Sequence, residues 1–597
     1  PPFSSRLIQL AMPAEGPPKV AWAAASVGME TCETGAAGGA GSSRRVLDVC
    51  ATALLSALLV LSPGIFCLLA LAVLWKGEVN LWLHALFMVL LLHVMCCPCC
   101  PLCCRRCRGG ADAASCPVRW LEGRKWVVAV SHLLGWLAFV LFFACLFHSD
   151  LTTPTLRAEY DASLPVAVIG AGASGLASSW VLAKGGRSVT VFESLGDIGG
   201  HSLSYVDVSD GRNLTIDLGF IFNNAAAPAY VSYKSFGKHF GRTLVSTALN
   251  TSGYFDGEYW DNTGDPDRFD LPLREEVRRF MDHVDSPEST LRYLAPMGWW
   301  LWYHGFSDRF RRLCLDSTMS VLFVTKMGLD KQSAQGVLNY FRIADGFTHL
   351  RYDVPKVQYS PGGSQFMWKD VVRDMESTGR AQVRVNSRVA EVEKEDGLWT
   401  VTLADGTKYG GFGDVVLACP ANVAAKIVRS RPLQALFLSQ IDYIDADVTL
   451  HKDHLTIMGS NFRQASDDVL YFTSNEHMTG KIGRIFGDAH SDLLLTVHGQ
   501  GQEAVKIDPA KTLWKTTWSH HYFSMWELVV ARKFVPMFNN GGGLHYAGDW
   551  VYGVGHNDAI KSGVHAACAV GVPKTPPDGS SDPLYSDLIR ATCRLPS

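Results

Sequence analysis

The sequence has no strong excess of either charge and no stripe of basic and aromatic residues. Its 54 Lys and Arg residues nearly balance its 57 Asp and Glu residues, which gives a formal net charge of −3. A nucleic-acid-binding domain usually carries clustered positive charge for phosphates, together with aromatic rings that stack on bases. We therefore expect no nucleic-acid partner.

Cysteine is scarce over most of the chain. Twelve of the 16 cysteines lie before residue 150, and only Cys314, Cys419, Cys568 and Cys593 follow. Four cysteines in so long a segment do not predict a disulfide scaffold. We also predict no metal site in this segment.

Charged residues are absent from two long stretches near the start of the chain. Val49 to Trp75 has none, and Trp126 to Phe147 has no Asp, Glu, Lys or Arg. Both exceed the roughly 20 residues that cross a bilayer core, so each predicts a transmembrane helix. Leu81 to Met95 forms a third span if it continues through Cys100, with a re-entrant or interfacial helix as the alternative. About three transmembrane helices are therefore predicted in residues 49–148.

The loops between these stretches predict the topology. Arg44 and Arg45 precede the first span, and six further basic residues, from Arg105 to Lys125, precede the last. The positive-inside rule gives both regions a cytoplasmic location, and an odd number of spans then makes everything after His148 lumenal. Sequons at Asn213 and Asn250 are consistent with this prediction. We expect an integral membrane protein.

Two other features of this part are compositional. Residues 1–48, rich in Ala, Gly and Pro, predict a disordered leader. The cluster from Cys96 to Cys107 lies where a predicted span meets a basic loop. It suits S-palmitoylation, a soft apolar contact surface or thiolate binding of a metal, although adjacent Cys-Cys pairs fit a tetrahedral site poorly.

A glycine-rich turn follows the predicted membrane region. Val166 to Ile169 predicts a buried parallel strand, and Gly170, Gly172 and Gly175 follow it in G-x-G-x-x-G spacing. The first glycine permits a tight turn, and the second lets a pyrophosphate approach the backbone. The third lets the next helix, predicted over Leu176–Lys184, pack against the sheet. This pattern predicts a dinucleotide site.

The residues around this turn extend the site. Ala173 and Ser174 lie in the turn itself, where the amides that start a helix attract a phosphate. A second strand, Ser188 to Phe192, leads to Glu193, 23 residues after Gly170. A carboxylate at this position can accept hydrogen bonds from ribose hydroxyls.

The next motif indicates which dinucleotide is bound. The run from Glu193 through Gly199, Gly200 and His201 reads E-x-x-x-x-x-G-G-H and resembles FAD-binding amine oxidase-like flavoproteins. The resemblance spans roughly residues 164–572. Four further segments support the resemblance: Asp217–Phe220, Pro361–Ser364, Asp414–Pro420 and Leu544–Gly571.

The resemblance implies an α/β fold. A Rossmann-like FAD-binding domain of the two-domain amine oxidase type would be interleaved with an α+β substrate domain. The FAD-binding segments would be 160–240, 356–425 and 541–575, the substrate segments 241–355 and 426–540, and the tail 576–597.

It also implies noncovalent FAD, because no counterpart of a flavin-linked cysteine is evident. The cofactor-binding residues would be Gly170, Gly172, Ala173, Ser174, Gly175, Glu193, Gly199, Gly200, His201, Gly219, Phe220, Val389, Gly548, Asp549 and His556. His556 is also the candidate catalytic residue. Relatives with a Gly-Phe-His-Glu-Asp-Gly segment have Glu where this chain has Asn557, so an acid–base role cannot be transferred to that position.

We therefore predict a membrane-anchored FAD-dependent oxidoreductase that moves a hydride between an apolar or lipid-like substrate and the flavin. The alternatives are a non-catalytic flavin- or nucleotide-binding membrane scaffold and an oxidase of small amines. The aromatic segment from Trp299 to Phe310 is either core or a surface that rests on the bilayer and admits the substrate. The electron acceptor is not predicted.

Overall fold

The computed structural model describes residues 156–593, apart from gaps at 158, 209–212, 225–230, 256, 262–269, 290–291, 293–294, 317–328, 330–331, 344–355, 455–469, 475–476, 500–505, 522–523, 525–534, 540–541, 554 and 580–581. The predicted leader, the predicted spans in 49–148 and the cysteine cluster lie outside these residues. Among the residues that are described, no helix combines the length and apolar character needed to cross a membrane.

Strands and helices alternate along the described chain. The strands are β1 Val166–Ile169, β2 Val189–Phe192, β3 Ser204–Asp207, β4 Leu214–Asp217, β5 Asn223–Asn224, β6 Val245–Ala248, β7 Thr251–Phe255, β8 Glu258–Asp261, β9 Lys356–Tyr359, β10 Ala381–Arg384, β11 Val389–Glu395, β12 Leu398–Leu403, β13 Lys408–Phe412, β14 Asp414–Leu417, β15 Tyr443–His451, β16 Tyr471–Ser474, β17 Met478–Gly480, β18 Leu494–Gly499, β19 Thr512–His521 and β20 Leu544–Tyr546. The helices are α1 Ala173–Lys184, α2 Val231–His239, α3 Leu271–Asp285, α4 Met297–Tyr303, α5 Asp308–Phe310, α6 Ala334–Ile343, α7 Ser364–Ser377, α8 Ala421–Ile427, α9 Pro432–Leu438, α10 Ile482–Ile485, α11 Val535–Phe538, α12 His556–Val570 and α13 Pro583–Thr592.

A five-stranded parallel sheet forms the base of the cofactor part. Its order is β10-β2-β1-β14-β20, so strands from three distant segments of the chain pair side by side. The four residues of β1 are all buried, as expected for a strand covered on both faces. Helices α1, α7 and α12 pack on one face around Trp180 and Trp368. Consequently, the glycine turn after β1 lies at the carboxyl end of the sheet.

The segment after α7 differs from its prediction. The sequence from Val383 to Glu393 predicts one strand, the first of a three-stranded meander whose first turn is predicted at Asp396 and Gly397. The structure has two strands here, because Asn386 adopts a positive φ of 52° and breaks the run. Residues of β10 join the parallel sheet, while β11 pairs with β12 and β13 as an antiparallel meander. Asp396 and Gly397, both with positive φ, form the predicted turn between β11 and β12.

A second sheet contains seven strands in the order β19-β15-β18-β17-β16-β7-β8. Its strands come from both predicted substrate segments, and only the β16–β7 pair among them is parallel. A helical cluster of α3, α4, α5 and α6 has its own core, which includes Phe280, Trp300 and Phe341. A disulfide between Cys568 and Cys593, with a Cα–Cα distance of 6.1 Å, links α12 to the end of α13.

Candidate functional site

The three glycines after β1 have the surroundings that their predicted roles require. A Cβ atom on Gly170 would approach the carbonyl oxygen of Ala418 to 2.5 Å, and Gly170 has a positive φ of 105°. A Cβ on Gly175 would collide with the carbonyl oxygen of Gly170. By contrast, a Cβ on Gly172 would meet no heavy atom within 4 Å. The second glycine therefore faces open space, which fits the approach of a pyrophosphate.

The start of α1 is available to an anion. Gly172 is its N-cap, no side chain caps its amides, and the helix begins at Ala173, three residues before the predicted start. Because the first-turn amides of a helix have no intrahelical acceptors, a phosphate can accept their hydrogen bonds. Ser174 is buried where α1 crosses α12, since a Cβ on Gly563 would collide with the Ser174 carbonyl oxygen.

Glu193 lies beside this turn at the end of β2. Its Oε2 accepts a hydrogen bond from the Ala171 amide at 2.7 Å, and its Oε1 accepts one from the Leu195 amide at 2.9 Å. The carboxylate is buried, and because Oε1 also accepts from the Ser194 hydroxyl at 3.1 Å, it is Oε2 that keeps a further lone pair. This position suits the ribose contact that the sequence predicts.

The Gly199–His201 segment returns the chain to the cradle. Gly199 forms an isolated parallel bridge with Gly172 and donates its amide hydrogen to the Ala171 carbonyl at 2.8 Å. Gly200 approaches so closely that an added Cβ would be 3.2 Å from the Gly172 Cα. The Phe220 amide donates to the His201 carbonyl at 2.7 Å. Gly219 also packs against this segment, because a Cβ there would collide with the carbonyl oxygen of His201.

A buried carboxylate joins this region to α7. The amide of Ser364, the first residue of α7, donates to both oxygens of Asp217, at 2.9 and 3.1 Å. The Ser204 hydroxyl also donates to Asp217. Burial raises the pKa of Asp217 to about 7, because desolvation of the carboxylate outweighs the opposing effect of these hydrogen bonds.

His556 is enclosed by aromatic side chains at the start of α12. Its ring stacks on Phe220 with a centroid distance of 4.2 Å. Its Nε2 accepts a hydrogen bond from the Trp368 indole at 3.1 Å, so Nδ1 carries the proton and donates to the Ser202 hydroxyl at 3.3 Å. Burial lowers the pKa of His556 to about 3. Both ring nitrogens are thus engaged by the protein, which favours a positioning role over the predicted catalytic one.

Asp549 lies next to a histidine that sequence reasoning missed. The carboxylate follows β20, and its Oδ2 is 3.4 Å from Nε2 of His521 at the end of β19. The neighbouring His520 stacks on His201, with ring centroids 4.9 Å apart. No sequence motif surrounds His520 and His521. Only the alignment of β19 beside the cofactor sheet brings them to the site.

Gly548 and Val389, two further residues predicted to contact the cofactor, lie in different parts of the structure. Gly548 donates its amide hydrogen to the Ser562 hydroxyl at 2.9 Å, and a Cβ there would collide with the Trp550 indole. Val389 begins β11 and is buried in the core on the other face of the parallel sheet. Its predicted contact with the cofactor stays a prediction.

Comparison with known proteins identifies the type of domain. The family model described as flavin containing amine oxidoreductase matches residues 173–450. This part of the chain is similar to flavin-containing amine oxidoreductases, and the predictions of an FAD-dependent oxidoreductase with FAD as cofactor are confirmed. Noncovalent attachment stays a prediction. No curated protein matches the sequence.

Solved structures share the fold. A double mutant of putrescine oxidase with redesigned cofactor binding aligns with a TM-score of 0.51 at 14% identity. A CLA-producing fatty acid isomerase from P. acnes aligns with a TM-score of 0.52 at 16% identity. Each comparison covers 68% of this chain and 98% of the other. The amine oxidase-type α/β fold is thereby confirmed, while the membrane region and the substrate are not addressed.

Proposed function

We propose that the protein is a membrane-anchored FAD-dependent oxidoreductase whose substrate is apolar or lipid-like. Glu193, the open backbone at Gly172 and the uncapped start of α1 would hold the dinucleotide. FAD supplies two-electron chemistry by accepting or returning a hydride. The side chains around the cradle would position the substrate and hold the proton that accompanies this transfer.

The observation that carries the substrate class is the outer face of α4. Trp299, Trp302 and Tyr303 are 53%, 73% and 66% exposed, whereas Trp300 of the same helix is buried. The aromatic segment is therefore part core and part surface. Fully burying a large apolar side chain is worth roughly 1.5–3 kcal/mol. Three exposed rings on one short helix therefore favour contact with another apolar surface or with a membrane. A bilayer interface suits indole and phenol rings, which have an apolar body and a polar end.

The cleft also favours an uncharged substrate. Burial lowers the pKa values of His201, His520 and His556, so these rings are neutral near pH 7. The carboxylate of Asp549 is paired with His521. A cationic amine would have to compete with His521 for the Asp549 carboxylate, whereas an acyl chain needs only an apolar passage. The fold is shared with a fatty acid isomerase, which is compatible with a lipid-like substrate. It is also shared with putrescine oxidase, so a small amine stays the alternative substrate.

The anchor strengthens the proposal. Predicted spans before residue 149 would confine the site beside the membrane and raise the effective concentration of a lipid substrate. Each methylene kept out of water is worth about 0.8 kcal/mol, so lateral entry from the bilayer would avoid a large desorption cost.

The test is anaerobic reduction of the FAD-loaded, full-length protein in lipid vesicles. Acyl lipids, isoprenoids, small amines and NAD(P)H are added in separate samples, and bleaching of the flavin absorbance is followed. We expect bleaching with an acyl or isoprenoid pool and none with amines. Bleaching by amines alone would contradict the proposal, and a protein reduced by none of these compounds would favour the non-catalytic scaffold.

A matched pair of variants tests the entry surface. Replacing Trp299, Trp302 and Tyr303 together by Ser should slow reduction by a lipid in vesicles at least about tenfold, because lateral contact is lost. The control replaces Leu433 and Leu436, which are also exposed, on α9. Equal rates in both variants would remove α4 from the proposal.

A further inference from the structure

A cluster of titratable side chains lies where the cofactor sheet meets the seven-stranded sheet. His201 follows the Gly199–Gly200 turn, and Asp549 follows β20 of the parallel sheet. His520 and His521 end β19, which is the outermost strand of the other sheet. Trp518 of β19 packs edge-on against His201 at a centroid distance of 4.7 Å. Both parts of the molecule therefore contribute to one cluster beside the cofactor cradle.

We propose that His521 and Asp549 are the proton-holding pair of this site. His521 would take up the proton released during substrate oxidation, and Asp549 would orient the imidazole and stabilise its protonated form. The pair is 3.4 Å apart, and the His521 side chain is 1% exposed while that of Asp549 is 29% exposed. The Trp550 amide donates to Asp549 Oδ1 at 3.0 Å, which leaves Oδ2 directed toward His521.

The surrounding groups favour this pair over the other histidines. His521 faces Asp549, which lies in the turn after β20. The ring of Tyr443, on β15, has its centroid 6.0 Å from that of His521. A positive charge on His521 lowers the pKa of both His201 and His520, so protonation of His521 disfavours protonation of these two rings. His556 has both nitrogens engaged, as described above. Only His521 is paired with a carboxylate within this cluster.

The charge of the cluster supports uptake of one proton. Burial would raise the pKa of Asp549, but attraction by His521, His201 and His520 outweighs it, so the pKa is lowered and the carboxylate stays ionised. While these imidazoles are unprotonated, the cluster carries one negative charge, on the partly buried carboxylate of Asp549. Protonation of His521 would neutralise that charge, whereas a second proton would create a buried positive one.

The proton balance of the reaction gives such a group a role. Two-electron oxidation of the substrate breaks one C–H bond, whose electron pair leaves with the hydrogen as a hydride to FAD. An adjacent bond to hydrogen also breaks, its electrons form a new double bond, and its proton goes to His521. The substrate loses two electrons and FAD gains two. Because this balance holds for a lipid or an amine, the inference rests on the FAD cofactor and not on the substrate class.

The test needs no substrate. The FAD-loaded, full-length protein is reduced by dithionite at a series of pH values, and the midpoint potential against a reference dye gives the number of protons taken up with two electrons. Reduction adds negative charge to the cleft and raises the proton affinity of the pair. We expect wild type to take up one proton more than H521Q near neutral pH.

The matched control is H498Q. His498 lies on β18 of the same sheet and also contacts a carboxylate, with Nε2 3.8 Å from Asp447. This variant should take up as many protons as wild type. Equal proton uptake in H521Q and wild type would overturn the proposal, as would the same loss in H498Q.

A second measurement covers the case in which H521Q does not load FAD. Wild-type protein labelled with 13C-histidine is examined by reduced-minus-oxidised infrared difference spectroscopy. We expect an imidazolium band to appear on reduction, and its absence would also overturn the proposal. Failure of the wild-type protein to load FAD would instead contradict the cofactor assignment, so the two failures are distinguishable.

Discussion

Gly172 and Gly175 are three residues apart but have opposite surroundings. An added side chain at Gly172 would enter open space, and its φ of −78° suits any residue. G172L should therefore fold with wild-type stability but bind FAD at least about 100-fold more weakly, a loss of ~2.7 kcal/mol. G175A should lose roughly 1–3 kcal/mol of stability, since its Cβ meets the Gly170 carbonyl. Flavin absorbance and thermal unfolding separate the two effects, and an FAD-replete G172L would contradict this assignment.

Asp217 predicts a pH dependence of stability. Its pKa is about 7 in the folded protein and 3.8 when unperturbed. A raised carboxyl pKa means that the group stabilises the fold fully below 3.8 and that this contribution is lost as the pH rises toward 7. The three-unit shift corresponds to an upper limit of about 4 kcal/mol. Urea titrations across this pH range should show a shallower decline for D217N than for wild type, and parallel curves would contradict the shift.

At the scale of elements, a buried charge network ties the amino ends of β2, β14 and β20 together. Asp414 contacts Arg187 at 3.6 Å, His545 at 3.1 Å and Arg157 at 3.2 Å. Arg187 is 1% exposed, so D414A would leave it without this carboxylate and should cost about 3–5 kcal/mol of unfolding free energy. R157A, at a side chain 45% exposed, should cost no more than ~1 kcal/mol. Chemical denaturation measures both, and similar losses would contradict the ranking.

The disulfide between α12 and α13 is a second link between elements. Both cysteines are buried, and the bridge closes a loop with a sequence separation of 25. We expect C593S to lose about 2–5 kcal/mol of stability, because the unfolded chain is no longer constrained. C314S, at a buried free cysteine, is the control and should be insensitive to the redox state. Thiol counting under denaturing conditions checks the bridge itself, and four free thiols after residue 150 would contradict it.

At the scale of the whole molecule, the predicted topology can be tested directly. With three spans and cytoplasmic arginine loops, the flavin domain is expected to be lumenal, where a disulfide forms readily. Asn213, exposed at the start of β4, should then carry a glycan. Protease added to sealed vesicles should leave the domain intact, and a glycosidase should shift its mobility. Digestion from the cytosolic side would show that the spans were miscounted.

The sequence predicts the cradle better than the rest of the site. Gly170, Gly172 and Glu193 follow one another within a single strand–helix–strand unit, so local spacing is enough to place them. His520 and His521 carry no motif, and their position depends on the long-range pairing of β19 with β15 and on how that sheet lies beside the parallel sheet. The break at Asn386 was also missed, because a positive φ at a residue other than glycine has only a weak sequence signal.

The strand order of the parallel sheet has a consequence for biosynthesis. β1 leaves the ribosome early, whereas β20 and α12, which complete the cradle, are made after the entire seven-stranded sheet. At 5–20 residues per second, the interval between Ile169 and His545 is roughly 20–75 seconds. During this time the incomplete sheet exposes apolar faces and an unpaired edge, first that of β1 and then that of β14, to which chaperones can bind. The cofactor can therefore be inserted only after translation of α12, as a late step of maturation.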